Sequence, residues 1–369
     1  MIRNSDSKRK KKGDNLVDPF KNTISRISGP LSSLSTKSKL KVLLFTSRPE
    51  YFDGTDLLES TDSIECLTYF YTEDALRACD DRFDLALVCT HVLGEHKAQL
   101  IVREKKLAPL IVVWTWDNHH HRARNLSGNT LADIVIPAHS ENQETLKTPH
   151  SLLGTRVPLG TSQWSRALTS KLLFRNPEMR SEALSGGYVL WPHSARNEVL
   201  RRLKTRIPEN ALSLLDPNNR SPYFSLSVEA RFRQWTSYMV SLIIPFNRDL
   251  SMRVFDALIA GQIPIVPEDC VDLDSTVPPD IQRRLPIIRV SDLSPQSVEL
   301  AWRLAIKQFK ERGVEGIVTR HEYARDYHHI SARIKYIVEY LRGLSTKTFA
   351  VESDSDCVGL VVADNLSIQ

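Results

Sequence analysis

Within the segment 240–266 a polar loop leads into a helix, and three candidate residues lie there: Arg248, Arg253 and Asp256. An apolar run predicts a buried strand, and the next helix is expected to begin near Ser251. Free backbone N–H groups and the positive dipole end at a helix start suit phosphate, and Arg248 and Arg253 would add charge there. Asp256, one turn beyond Arg253, could accept two hydrogen bonds from a ribose diol. The alternative is an ordinary strand–helix unit whose arginines are solvated.

A second group of candidate residues follows the apolar run Pro109–Val113, in the sequence Trp114-Thr-Trp116-Asp117-Asn-His119-His-His. Asp117 or His119 could act as the general base that deprotonates a hydroxyl group, and the tryptophans could stack on a sugar ring. Histidine and aspartate also bind metals, but adjacent histidines point in different directions and no spaced partner is evident. We therefore predict no metal site. The alternative is a polar loop rich in histidine.

Further polar residues follow other predicted strands. His193 and Arg196 come after a strand at 188–191, Asn247 lies in the polar loop, and Glu268 follows the run at 263–266. Ligands of parallel sheets bind outside the carboxyl ends of the strands, so these side chains could reach the same ligand. The alternative for each is a packed or solvated side chain. Asp272-Leu-Asp274 has the DxD pattern of some metal sites. Such short patterns often arise by chance, and the surrounding sequence is not that of such a site.

The elements that must position these residues follow from the apolar pattern. Continuous apolar runs alternate with amphipathic stretches from residue 39 to about 170, and the pattern restarts after residue 181. This alternation is typical of a parallel sheet covered on both faces. The sequence predicts an α/β fold with two Rossmann-like domains, 39–180 and 181–344, that face a cleft. Gly261 is expected to close the helix that carries Asp256.

The two ends of the chain differ in composition from the middle. Residues 1–38 are rich in Ser, Lys and Arg and predict a disordered basic tail, and residues 345–369 predict a weakly ordered one. The cluster Ser7–Lys12 could contact anionic lipid, although a solvated tail is the alternative. It holds much of the net charge of +5, which argues against a nucleic-acid-binding body. Five cysteines without a CxxC motif predict reduced thiols in a cytoplasmic protein.

Several protein classes are not expected, because the sequence lacks their features. No apolar stretch approaches the roughly 18 residues of a membrane span, and no apolar core follows the basic N-terminus as in a signal peptide. No GxGxxG motif is present, so a dinucleotide-dependent dehydrogenase is not expected.

The segment Ser251-Met-Arg253-Val-Phe-Asp256-Ala-Leu-Ile-Ala-Gly261-Gln-Ile-Pro264 resembles the donor-binding segment of GT-B glycosyltransferases. The variant is most similar to group 1 and spore-maturation (CgeB-like) members, and the order of elements over residues 40–344 also resembles this fold. Two single positions depart from the family, and the loop Thr46-Ser47-Arg48 lacks the glycine pair that many members have. Asp256 stands where most members have Glu, and Arg248 stands where many retaining members have a second Glu, which argues against a retaining mechanism of that type.

This resemblance implies a metal-independent enzyme that moves a sugar from a nucleotide-activated donor to an acceptor hydroxyl, in envelope or surface glycan synthesis. No cofactor is implied beyond the nucleotide-sugar substrate. The acceptor, a glycan or a lipid-linked molecule, would bind domain 39–180 near Asp117 and His119. The donor would bind domain 181–344 through His193, Arg196, Asn247, Arg248, Ser251, Arg253, Asp256 and Glu268.

Two alternatives to a transferase remain at the level of sequence. One is a sugar-nucleotide epimerase on the same architecture, and the other is a non-catalytic module that binds a sugar nucleotide or a partner protein. In each case we expect a cytoplasmic protein without nucleic-acid partners, with peripheral contact at the inner membrane face through the basic tail.

Overall fold

The computed structural model describes residues 7–46, 63–90, 95–116, 129–141, 143–148, 150–174, 176–207, 210–218, 223, 225–344, 347, 349–354 and 357–362. The chain divides into two compact units. Unit 1 combines the described residues of Met1–Pro49, Leu58–Pro158 and Ile334–Gln369, and unit 2 contains those of Leu159–Arg333. In the described part, no helix has the length and apolar character needed to cross a membrane.

The strands are numbered in chain order: β1 Leu40–Thr46, β2 Ile64–Phe70, β3 Leu85–Thr90, β4 Ile111–Thr115, β5 Ile134–Pro137, β6 Leu152–Leu153, β7 Leu184–Val189, β8 Asn210–Leu215, β9 Val240–Leu242, β10 Ile263–Pro267, β11 Ile288–Val290, β12 Phe349–Asp354 and β13 Cys357–Val362. The α-helices are α1 Ser7–Thr36, α2 Glu73–Ala78, α3 Glu95–Glu104, α4 Arg166–Leu172, α5 Arg196–Arg206, α6 Val228–Thr236, α7 Arg253–Ile259, α8 Leu273–Thr276, α9 Pro279–Arg284, α10 Pro295–Tyr327 and α11 Ile330–Gly343.

Unit 1 is built on one sheet with the strand order β12-β13-β6-β5-β4-β3-β1-β2. Neighbouring strands run parallel, except that β12 and β13 form an antiparallel pair. Every residue of β4 and β5 is buried, on both faces of the sheet. This is the continuous apolar pattern of a parallel sheet covered on both sides.

Unit 2 is built on a smaller parallel sheet with the order β11-β10-β9-β7-β8. One face of β7 and β8 packs Leu184, Tyr188 and Leu212 into an apolar core that includes Trp302 and Phe309 of α10. Two parallel sheets in separate α/β units confirm the predicted fold class of two Rossmann-like units.

The N-terminal segment differs from its prediction as a disordered tail. Residues Ser7–Thr36 form α1, and Phe20, Ile27, Leu31 and Leu34 of this helix are buried. These four residues recur at near-helical spacing and form one apolar face. The Arg26 guanidinium also pairs with the buried carboxylate of Asp133, with Nε and Oδ1 2.8 Å apart. The abundance of Ser and Lys in the segment hides this sparse apolar stripe.

The chain passes between the units at residues other than those predicted. It enters unit 2 after Pro158, because the following segment is bonded within that unit: the Thr161 N–H donates to the His328 carbonyl over 2.8 Å. It returns to unit 1 within α11, where the Tyr340 hydroxyl accepts a hydrogen bond from the Thr155 N–H over 2.9 Å. The C-terminal segment, predicted to be weakly ordered, contributes the β12–β13 hairpin to the sheet of unit 1.

Candidate functional site

A cavity of about 470 Å³ lies in unit 2, lined by β7, β8, α6 and the start of α7. Its floor consists of small residues that face the same side of the sheet: Ser185 and Gly187 of β7 stand beside Ala211 and Ser213 of β8. Because none of these side chains is large, this face of the sheet is left unfilled. The sequence predicts the strand only from residue 188 onward, whereas β7 begins at Leu184 and includes both of its glycines.

Arg253, at the start of α7, presents its guanidinium to this cavity. Its Cζ lies 5.7 Å from the centroid of the Tyr188 ring, and it forms no ion pair with any described residue. The Tyr188 hydroxyl donates to the Leu242 carbonyl, which fixes the ring. Burial raises the pKa of Tyr188 to about 12, so the ring carries a neutral hydroxyl beside the arginine. Arg253 is therefore a cation available to a ligand.

The Arg196 guanidinium also lies near the Tyr188 ring, but it is hydrogen-bonded to the main chain. Its Cζ is 5.7 Å from the Tyr188 ring centroid and 5.2 Å from that of Phe246. Its guanidinium donates to the carbonyls of Ile244 and Val189 over 3.2 and 3.0 Å. Burial, and next the nearby charge of Arg253, lower the pKa of Arg196. Since it bonds the main chain at the ends of β7 and β9, its role is to hold these ends together.

Asp256, on α7, is fully buried and contributes to the wall of the cavity. The Gln163 side-chain amide donates to Asp256 Oδ2 over 2.8 Å. Burial raises the pKa of Asp256 to about 6, against the opposing effects of hydrogen bonding from Thr161 and Gln163 and of the charges on Arg253 and Arg231. The group therefore changes its charge close to neutral pH, in a site shared with two arginines.

Residues that the sequence did not single out complete the wall. Tyr223 and Trp235 face the cavity, and the Arg231 Cζ lies 5.8 Å from the Tyr223 ring centroid. Arg231 is buried, yet it is in no ion pair within the part of the chain that the structure describes. No motif or spacing links these residues to Asp256, because folding alone brings α6 and the entry segment of unit 2 to α7.

The start of α7 differs from the expected phosphate-binding helix end. The helix begins at Arg253 and not at Ser251, and Ser251 Oγ accepts a weak hydrogen bond from the Arg253 N–H over 3.4 Å. The N–H groups of Val254 and Phe255 donate to the carbonyls of Ser251 and Met252, over 3.1 and 3.0 Å. The N–H groups expected to be free are thus used within the turn, although Ser251 itself lines the cavity.

Four other candidates lie in loops after strands and outside the lining of the cavity. His193, Asn247, Arg248 and Glu268 are exposed. Arg248 Nε pairs with Asp269 Oδ2 at 3.3 Å. His193 and Arg248 have φ values of 61° and 62°, the left-handed region that costs a non-glycine residue on the order of 1 kcal/mol. The structure therefore brings Ser251, Arg253 and Asp256 together, with Arg196 beside them, and leaves these four at the surface.

Asp117 and His119, the predicted general bases, lie outside the described residues. In the described part of the chain, no group of three or more His, Cys, Asp or Glu side chains is arranged to hold a metal ion. Asp274 of the DxD pattern accepts hydrogen bonds from Arg289 and Gln282, over 2.6 and 2.8 Å. Its carboxylate is thus engaged in the structure of unit 2.

No protein-family model matches the chain, and no curated protein matches it. Among solved structures, it is similar to a sucrose-phosphate synthase from Thermosynechococcus elongatus, with 13% identity over 70% of this chain and 73% of that one and a TM-score of 0.45. It is also similar to the GtfA/B complex (12% identity, 70% and 57%, TM-score 0.36) and to the spinosyn rhamnosyltransferase SpnG (13% identity, 69% and 72%, TM-score 0.31). All three TM-scores are below 0.5, so none of these similarities assigns a function to this chain.

Proposed function

We propose that the chain is a GT-B-type glycosyltransferase, and that unit 2 binds a nucleotide-activated sugar. The observation that carries this proposal is the cavity in which the Arg253 guanidinium, the buried Asp256 carboxyl group and the rings of Tyr223 and Trp235 line one space. A nucleotide offers a matching partner to each of them, namely phosphate, ribose hydroxyls and a base. A pocket with aromatic walls and a few convergent polar groups is the usual form of such a site.

Each group has a definite role in this proposal. Arg253 binds the diphosphate, because a planar guanidinium matches phosphate oxygens in a bidentate manner. Asp256 accepts hydrogen bonds from the ribose diol, since a carboxylate has about four lone-pair sites and Gln163 takes only one of them, at Oδ2. Among the described residues, Oδ1 has no hydrogen-bond partner. Tyr223 and Trp235 provide surfaces for the base, and stacking of a base on an aromatic ring contributes about 1–3 kcal/mol.

The transfer itself follows from these roles. The acceptor hydroxyl oxygen attacks the anomeric carbon of the sugar, and its proton passes to a base, for which Asp117 and His119 are the candidates. The bond from the anomeric carbon to the phosphate oxygen breaks, and its electron pair stays on the departing diphosphate. Arg253 stabilises that charge, which is the role a metal ion plays elsewhere. The acceptor in this proposal is an envelope or surface glycan, or a lipid-linked molecule.

The test compares Arg253→Ala with Arg248→Ala in titration calorimetry against UDP, GDP, ADP, CDP and dTDP. We expect the wild-type chain to bind one of them, with or without EDTA. Loss of a charge-assisted hydrogen bond costs about 1.5–3 kcal/mol, so Arg253→Ala weakens binding by about 10- to 100-fold. Arg248→Ala changes it less than about threefold, because that side chain is 61% exposed and pairs with Asp269.

An unchanged affinity in Arg253→Ala, or an equal loss in Arg248→Ala, would show that the donor site has been placed wrongly. The enzyme alternatives separate in a second assay, in which a nucleotide sugar is followed by NMR with and without acceptor glycans. An epimerase changes the sugar without an acceptor, a binding module changes nothing, and a transferase releases nucleoside diphosphate only as the acceptor is consumed.

A further inference from the structure

Four side chains of unit 2 form one continuous chain of hydrogen bonds that ends on Asp256. The Trp235 indole Nε1 donates to the Tyr223 hydroxyl over 3.1 Å, and this hydroxyl donates to Gln163 Oε1 over 2.9 Å. The Gln163 Nε2 then donates to Asp256 Oδ2 over 2.8 Å. The residues come from α6, from the segment before α6, from the segment that enters unit 2 and from α7, so this hydrogen-bond chain joins parts that are distant in sequence.

The direction of this hydrogen-bond chain is fixed from its first member. An indole N–H can only donate, so the Tyr223 oxygen accepts from it and turns its own hydrogen toward Gln163. The Gln163 atom that receives this hydrogen must be the amide oxygen. The amide nitrogen of Gln163 therefore faces Asp256, and Oδ2 of the carboxylate accepts its hydrogen.

We propose that Tyr223 and Gln163 are positioning residues for donor binding, which hold the Asp256 carboxylate as an acceptor in the orientation that a ribose diol requires. This inference rests on the proposed donor role of unit 2. It predicts that removal of the Tyr223 hydroxyl acts on the ligand through Asp256, because Gln163 then loses the hydrogen bond that holds its amide N–H on the carboxylate.

The charged and polar groups around Asp256 determine how its carboxylate responds when the hydrogen bond from Gln163 is weakened. The titratable groups that face it are Arg253 on its own helix, Arg231 on α6 and the Tyr223 hydroxyl. From the elements packed against the end of α7, His321 bonds the Ile259 carbonyl, Arg320 the Gly261 carbonyl, and His328 stacks on Phe255.

The pKa of Asp256, about 6, therefore depends on the hydrogen bond from Gln163, which lowers it, and on the two arginines. A weakened or lost hydrogen bond from the amide N–H raises this pKa further, because that bond favours the charged carboxylate. Ligand binding through the carboxylate should then begin at a higher pH.

The experiment measures the dissociation constant of the nucleoside diphosphate that the wild type binds, between pH 5 and 8.5, for Tyr223→Phe and Tyr238→Phe. Tyr238 lines the same cavity, and its hydroxyl takes no part in the hydrogen-bond chain, so it is the matched control. We expect wild-type affinity to rise with a midpoint near pH 6. Tyr223→Phe should shift the midpoint upward by about one pH unit. The affinity of this variant is then about tenfold lower than that of the wild type well below the midpoint, and equal to it at pH 8.5. Tyr238→Phe should keep the wild-type midpoint.

A loss in Tyr223→Phe that is equal at every pH would overturn the proposal, because it would indicate a merely structural role. Gln163→Leu, which also ends the hydrogen bond to Asp256, should give the same upward shift.

If no nucleoside diphosphate binds the wild type, the proposed function fails, and the hydrogen-bond chain is tested by unfolding measurements alone. Tyr223→Phe should then shift the fall in the unfolding free energy to higher pH. The same substitution combined with Asp256→Asn should cause no such shift. An unmoved pH dependence would refute the inference.

Discussion

The Asp256 carboxyl group lowers the free energy of unfolding by an amount that depends on pH. Its pKa of about 6 in the folded chain lies above the ordinary value of 3.8. Between these values the folded chain holds a proton that the unfolded chain has lost, so stability falls as pH rises through this window. Each pH unit between the two pKa values corresponds to about 1.4 kcal/mol, so the ionised group costs on the order of 3 kcal/mol above pH 6.

Asp256→Asn should therefore stabilise the protein at neutral pH while it impairs binding. The asparagine carries no charge, and its side-chain oxygen still accepts the hydrogen bond from Gln163. We expect the free energy of unfolding, measured by denaturant titration, to rise by about 1–3 kcal/mol at pH 7.5 and to change little near pH 4. Nucleotide affinity should fall at pH 7.5. A less stable variant at pH 7.5 would mean that the carboxylate pairs with the arginines strongly enough to offset its burial.

Some residues of the site can be predicted from the sequence, and others cannot. Arg253 and Asp256 are predicted together because one helical turn separates them, and a helix keeps such neighbours on one side. Arg248 also follows a strand, but position after a strand does not say whether a side chain turns inward. Gln163 lies 93 residues before Asp256, and no local pattern connects them.

Two adjacent glycines of β7, Gly186 and Gly187, face opposite sides of the sheet. A Cβ atom at Gly186 would lie 2.9 Å from the Tyr188 ring and 3.0 Å from Leu212, whereas one at Gly187 would meet only Arg253, at 3.9 Å. Sequence alone favours a strand that begins after this pair, because glycine weakens strands. Packing reverses that preference here, since one glycine admits the Tyr188 ring and the other leaves the cavity open.

These glycines make a matched pair of substitutions. Gly186→Ala should destabilise unit 2 by about 1–3 kcal/mol, because the Tyr188 ring is held by the Leu242 carbonyl and cannot move away. Gly187→Ala should be neutral or stabilising by up to about 1 kcal/mol, since alanine loses less backbone entropy. Denaturant unfolding of both variants measures the difference. Equal losses would mean that the Tyr188 ring is not confined as described.

The helix that ends at Gly261 shows where a local rule is sufficient. The expected glycine after the last helical turn is present with a φ of 77°, a left-handed conformation that glycine adopts without strain. Its Cβ position would also lie 2.7 Å from Ile317 of α10, so packing adds to the local requirement. At the other end of the same helix, the first turn is tightened and uses the N–H groups that the local rule leaves free.

At the scale of the whole molecule, the structure of the two ends of the chain is the hardest to predict from the sequence. The alternation of apolar runs predicts both parallel sheets, because each strand carries its own signal. The burial of α1 and the pairing of β13 with β6 carry no such signal, since each depends on a surface that only the folded unit provides. The division between the units is displaced for the same reason: contacts, not composition, assign residues 159–180 to unit 2.

Two truncations test whether α1 is an integral part of unit 1. Removal of residues 1–36 deletes the buried side chains of Phe20, Ile27, Leu31 and Leu34, each contributing about 1.5–3 kcal/mol, a sum comparable with the whole stability of a domain. It also leaves the Asp133 carboxylate without Arg26. We expect hydrogen exchange in β4 and β5 to lose protection in this variant. Removal of residues 1–19, which stops just before the first of these buried side chains, should keep the wild-type pattern. If both truncations exchange like the wild type, α1 is a detachable segment and its apolar face does not belong to the core of unit 1.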